Sequence, residues 1–147
     1  MDRDDVINTL NELIETCKDG EEGFRTCAET VKGPQLKVFF EQKAERCAIG
    51  AAQLAGKVRQ LGGDPERGGS TSGMLHRFWV SIRSKIAGMD DEAVLAECER
   101  GEDVAKSAYE EALRRDLPPD ARVMIAKQYQ EVRTNHDRIK DMRNAMA

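Results

Sequence analysis

Residues 6–31 read VINTLNELIETCKDGEEGFRTCAETV, and their spacing decides the fold. Val6, Leu10, Leu13, Cys17, Gly20, Phe24, Cys27 and Val31 follow alternating steps of four and three. That rhythm keeps one stripe of side chains against neighbouring helices along the whole stretch. The aspartates ahead of it place carboxylates at the positive end of a helix dipole. Lys32-Gly33-Pro34 stops the helix, because glycine tolerates a left-handed cap and proline suits the first turn of a following helix. The spacing therefore predicts a helix near 4–31 and a tight turn into a second one.

The second stripe carries Leu36, Phe40, Ala44, Cys47, Ala51, Leu54, Val58 and Leu61, and it ends at Gly62-Gly63, giving a helix near 35–61. The stretch from Gly62 to Gly73 is rich in glycine, serine and charge and reads as a loop. Ser70, Thr71 or Ser72 is placed to cap a short helix near 74–87 that holds Leu75, Phe78, Trp79, Ile82 and Ile86. Asp90 is a natural cap for a helix near 91–115, and Pro118-Pro119 opens a last one near 119–145 through Ile125, Tyr129, Val132, His136, Ile139 and Met142 or Met146. Two tight hairpins joined by so long a connector call for a crossover along a bundle, as in ferritin-like folds. The expected fold is an all-α, ferritin-like four-helix bundle forming a single domain over residues 1–147.

Composition agrees. Hydrophobic residues make up 39% and charged residues 34% of the chain, with few aromatics, as suits long amphipathic helices. The net charge of −4 is spread as mixed signs, which argues against a nucleic-acid partner. No apolar run approaches the ~20 residues of a membrane span, and the opening residues lack the pattern of a secretory signal, so a cytoplasmic protein is expected. Cys17, Cys27, Cys47 and Cys98 form no Cys-x-x-Cys and fall on the stripes, where they read as small reduced hydrophobes that react slowly.

Comparison of the hairpins shows a repeat. Cys17-Lys18-Asp19-Gly20-Glu21 recurs as Cys98-Glu99-Arg100-Gly101-Glu102 at an offset of 81 residues, in the same helical phase. Glu21 shares a row with Ile14 and Ala28, and Glu102 with Leu95 and Tyr109, so both carboxylates are expected inside. An inward pair calls for cations, hydrogen-bond donors or a metal. Bundles that hold two irons or two manganese ions take single glutamates from two helices and Glu-x-x-His from the other two. Glu21 and Glu102 match the first half. For the second, His136 lies on the last stripe, but three residues before it stands Arg133, leaving Glu131 as the nearest upstream carboxylate. The second helix offers Glu41 and Glu45 without a histidine. The metal candidates are therefore Glu21, Glu102, His136, Glu45 and Glu131, for iron or manganese, against an interior network of salt bridges and hydrogen bonds that uses the same groups. Tyr129 and His136 are the nearest expected partners of the pair, with Gly20 and Gly101 making room beside it.

Gly20-Glu21-Glu22-Gly23-Phe24-Arg25, Leu61-Gly62-Gly63-Asp64-Pro65, Leu75-His76-Arg77 with Trp79, Glu97-Cys98-Glu99-Arg100-Gly101-Glu102-Asp103 and His136-Asp137-Arg138-Ile139 together resemble a bacterial family of four-helix-bundle proteins of uncharacterised function in the ferritin-like superfamily. The resemblance implies the fold over nearly the whole chain and no established substrate or cofactor. The superfamily's iron ligands carry over to Glu21, Glu102 and His136, while the missing Glu-x-x-His pairs set the chain apart from the ferroxidases. No catalytic motif is visible. Two functions stay open: a stress-associated or regulatory protein acting through protein contacts, possible homodimerisation included, and a metal-binding redox or storage bundle.

Overall fold

The stripe that opens the chain is buried from Val6 to Val31 in the computed structural model, which describes residues 1–67 and 73–146. It lies on α1 (Arg3–Thr30), followed by α2 (Pro34–Gln60), α3 (Met74–Arg83), a 3-10 turn (Ile86–Gly88), α4 (Asp91–Leu113) and α5 (Pro119–Met146). Every regular element among the described residues is helical, and no helix is long and apolar enough to cross a membrane. Asp2 caps α1 by accepting from the Asp5 N–H at 2.9 Å, and Asp90 caps α4 through the Ala93 N–H at 2.8 Å. Each such cap satisfies a backbone donor that the helix itself leaves orphaned.

Side-chain pairings set the directions of the helices. Beside α1, the described parts of the connector climb with it: Asn11 donates to the Asp64 carbonyl at 3.1 Å, His76 meets Asp19 at 3.1 Å, and the N–H groups of Lys32 and Gly33 meet the Asp91 carboxylate at 2.8 and 2.9 Å. α4 then returns antiparallel to α1, with Cys98 beside Cys27, Tyr109 beside Cys17 and Arg115 on Thr9. α5 runs antiparallel to α2, tied by Arg46 to Glu131, Gln128 to Gly50 and Lys57 to Asp120. α2 and α4 are thus parallel and joined by the crossover.

The crossover helix is held by its apolar row. Leu75, Trp79 and Ile82 are buried, and the indole lies against Gly23 of α1 and Gly101 of α4. A Cβ at Gly23 would sit 2.3 Å from the Trp79 ring and one at Gly101 2.7 Å from it. Phe24, Phe40, Trp79, Leu95 and Ile139 form one hydrophobic cluster, and Leu10, Leu13, Leu54, Tyr109 and Ile125 form the other. Each such side chain contributes about 1.5–3 kcal/mol on burial.

Three local expectations change. Gly33 is not left-handed: its φ is −67°, it serves as the N-cap of α2, and a Cβ there would come within 3.3 Å of the Asp91 carboxylate. Among the described residues the left-handed glycines are Gly62, with φ of +84° at the end of α2, and Gly73, with φ of +69° ahead of α3. The short helix predicted over 74–87 stops at Arg83, and Ile86 is buried from the 3-10 turn instead. Ser70, Thr71 and Ser72 lie outside the described residues, and Gly73 occupies the N-cap position of α3.

Candidate functional site

Between the hydrophobic clusters sits a polar layer, and Glu102 is its centre. The carboxyl projects from α4, the residue is 6% exposed, and no hydrogen bond ties it to another described residue. Burial pushes its pKa up to about 8, against the pull of Lys43, with Asp103 and Glu131 adding to the rise. Glu102 is therefore chiefly neutral at pH 7, the cheaper form for an unpaired buried carboxyl. It borders a cavity of about 50 Å³ together with Cys17, Cys47, Gly50, Tyr109 and Gln128.

The other walls are tied to one another. Tyr109 donates its hydroxyl to Gln128 Oε1 at 2.8 Å, and Gln128 Nε2 donates to the Gly50 carbonyl at 3.2 Å and to Gln53 at 3.1 Å. With its one proton on Gln128, the Tyr109 oxygen accepts from the Cys17 thiol, 3.3 Å away. Burial lifts the Cys17 thiol to about 11 and holds Cys47 and Tyr109 well above their ordinary values. At neutral pH the layer is a set of uncharged hydrogen-bonding groups. Cys17, Cys27 and Cys98 are buried as expected, and Cys47 is partly exposed.

The expected metal candidates are not brought together. Glu21 is on the flank of α1, half-buried, with Arg25 on its Oε2 at 2.6 and 3.2 Å. Glu45 is exposed on α2. Glu131 reaches the rim of the small cavity but is gripped in two places by Arg46, at 2.6 and 3.1 Å. His136 places Nε2 2.8 Å from Asp103 and Nδ1 3.2 Å from Asp137. Tyr129 donates to Glu110 at 2.7 Å rather than to Glu102. Among the described residues no three His, Cys, Asp or Glu side chains stand together as a ligand set. The residues in place do not fit a di-iron or di-manganese centre, since two guanidinium groups already supply the positive charge that metals would bring to Glu21 and Glu131.

The two repeat glycines also serve different neighbours. A Cβ at Gly20 would meet the Cys47 sulfur at 3.1 Å, whereas Gly101 faces Trp79. The carboxylates that follow them diverge accordingly, Glu21 to the flank and Glu102 to the interior. The α5 residues that line the layer, Gln128, Val132 and Asn135, were legible as part of one inward row: Ala121, Ile125, Gln128, Val132, Asn135 and Ile139 keep steps of four and three through two amides. Stepping four and then three from Ile125 selects Tyr129 and His136 instead, one position round the helix.

A second depression runs outside the bundle between α1 and α4, beside the start of α3. It measures about 760 Å³, with Leu13, Leu75, Val104 and Ala108 among its apolar walls.

Two antiparallel hairpins, a crossover helix seated on α1 and α4, and one neutral buried carboxyl define a helical bundle with a polar centre. The chain belongs to the family described as "Domain of unknown function (DUF2383)", which it matches over residues 5–115, from α1 to the end of α4. No curated protein gives a significant match.

Proposed function

We propose that this protein is a ferritin-like bundle acting in the cytoplasm as a regulatory protein, by holding a basic amphipathic helix of a partner protein in the groove between α1 and α4. The parallel α2 and α4 joined by a crossover support the ferritin-like assignment. The groove carries the functional reading. Its acidic edge residues, Glu12, Glu15, Asp19 and Glu111, outnumber the basic ones, Lys18, Arg115 and His76, so its edges are net negative. On α4 its lining extends from Val104 to Glu111, about 10 Å or two helical turns, with Arg115 just past the helix end. The same inter-helix trough already takes a helix a little further along, where α3 inserts Leu75, Trp79 and Ile82 at steps of four and three. A partner helix with apolar anchors at that spacing and lysines or arginines on its flanks suits the remaining length.

Fluorescence anisotropy with a synthetic leucine/lysine amphipathic helix tests the proposal, beside a leucine/glutamate peptide of the same apolar pattern. Binding of the basic peptide and its loss by at least tenfold in Ser107→Arg and Glu111→Lys, both at exposed groove positions, is the expected result. Equal binding of both peptides, or variants that bind like the parent, would overturn it. So would dimerisation of the parent that Ser107→Arg abolishes, because the groove would then belong to a second copy of the chain.

A further inference from the structure

The four cysteines are not equivalent in their surroundings. Cys17 spends its thiol proton on Tyr109, and Cys47 packs its sulfur over Gly20. Cys27 of α1 and Cys98 of α4 instead face each other, sulfur to sulfur at 2.9 Å, and both are fully buried. By the repeat, Cys98 corresponds to Cys17, so nothing in the sequence couples it to Cys27. The two helices run antiparallel at this level, packed beside Phe24, Trp79 and Leu95 in the same hydrophobic cluster. Closing the bond needs about 0.9 Å of sulfur movement to reach a disulfide length of roughly 2.05 Å.

We propose that Cys27 and Cys98 are an oxidation site: a hydroperoxide converts them to a disulfide that staples the first hairpin to the second. One sulfur, as thiolate, attacks an oxygen of the hydroperoxide; the O–O bond breaks, leaving a sulfenic acid and an alcohol, or water from hydrogen peroxide, once the leaving oxygen takes a proton. The second sulfur attacks the sulfenic sulfur, the S–O bond breaks, and the hydroxide leaves as water with the second thiol's proton. The two thiols give up two electrons and two protons, all received by the hydroperoxide. A dithiol reverses the change by exchange. Burial holds the Cys98 thiol well above its ordinary range, so thiolate is scarce and the reaction waits on local opening that admits a small oxidant. The bond spans 71 residues of chain, so the oxidised form should melt roughly 10 °C higher.

The full chain is treated with hydrogen peroxide, unfolded in an alkylating reagent, counted for thiols and digested with trypsin. The expected outcome is a fall from four thiols to two, a link between peptides 26–32 and 86–100, and an upward melting shift that a dithiol reverses. Cys17→Ser/Cys47→Ser, which keeps the facing pair, should still lose both of its thiols, and Cys27→Ala should lose none to an internal link. Four surviving thiols at peroxide levels that oxidise the methionines would sink the proposal, as would a link through Cys17 or Cys47, or a double variant that retains its pair.

Discussion

Glu102→Gln should stabilise this protein, and by an amount that depends on pH in a defined way. The carboxyl sits at about 8 in the folded protein against an ordinary value of 4.5. Below pH 4.5 it is neutral in both folded and unfolded chains and carries no penalty. Between 4.5 and about 8 the unfolded chain has released the proton while the folded one still holds it. Stability therefore falls as pH rises through this window, by about 1.4 kcal/mol per unit. At pH 7 the accumulated loss is about 3 kcal/mol, and above pH 8 it levels off near 5 kcal/mol. Glutamine keeps the shape and has no proton to lose, so the loss disappears, less about 1 kcal/mol or so if its amide N–H groups find poor acceptors. Urea melts of parent and variant from pH 4.5 to 8.5 measure the difference directly, because every other titrating group is shared. Curves that run parallel across that range would refute a neutral, unpaired Glu102.

Gly23→Ala should cost about 1–3 kcal/mol in chemical denaturation, because the new Cβ would fall 2.3 Å from the ring of Trp79, which is packed on both sides. Gly56→Ala is the opposite case: inside α2 with nothing within 4 Å, it should add about 0.5–1 kcal/mol, and a loss there would mean an unseen neighbour. Tyr109→Phe removes the donor to Gln128 and the acceptor for Cys17, so melts should show a loss of about 1–3 kcal/mol, and no change would show that the layer's hydrogen bonds are dispensable. Asp91→Ala strips the acceptor from two backbone N–H groups in the α1–α2 turn and should cost about 1–2 kcal/mol by the same measurement.

Much of the fold was legible before any coordinates. The stripe on α1 is buried at each position from Val6 to Val31, Asp90 caps α4, and Pro34 and Pro119 each start a helix. These features are local: a cap or a period depends on residues within a turn or two of chain, and the chain carries them wherever it packs. The candidate site was half legible, since Glu102 is inside and Glu21 is not, although one repeat placed both. Phase on a helix is uncertain by about a third of a turn when the seam contains polar residues, and α5 hides Gln128 and Asn135 in its seam.

What the sequence determined by itself, then, is the number of helices, the bounds of the four long ones to within about two residues, and the need for a long connector between hairpins. The tertiary structure alone decided the pairings across helices: Arg46 of α2 drawing Glu131 of α5 outward, Trp79 taking the space at Gly23 and Gly101, and Cys98 facing Cys27 rather than its repeat counterpart. Such pairings depend on how far each helix slides and turns against its neighbours, and a shift of one residue, about 100° of rotation, exchanges a surface carboxylate for a buried one.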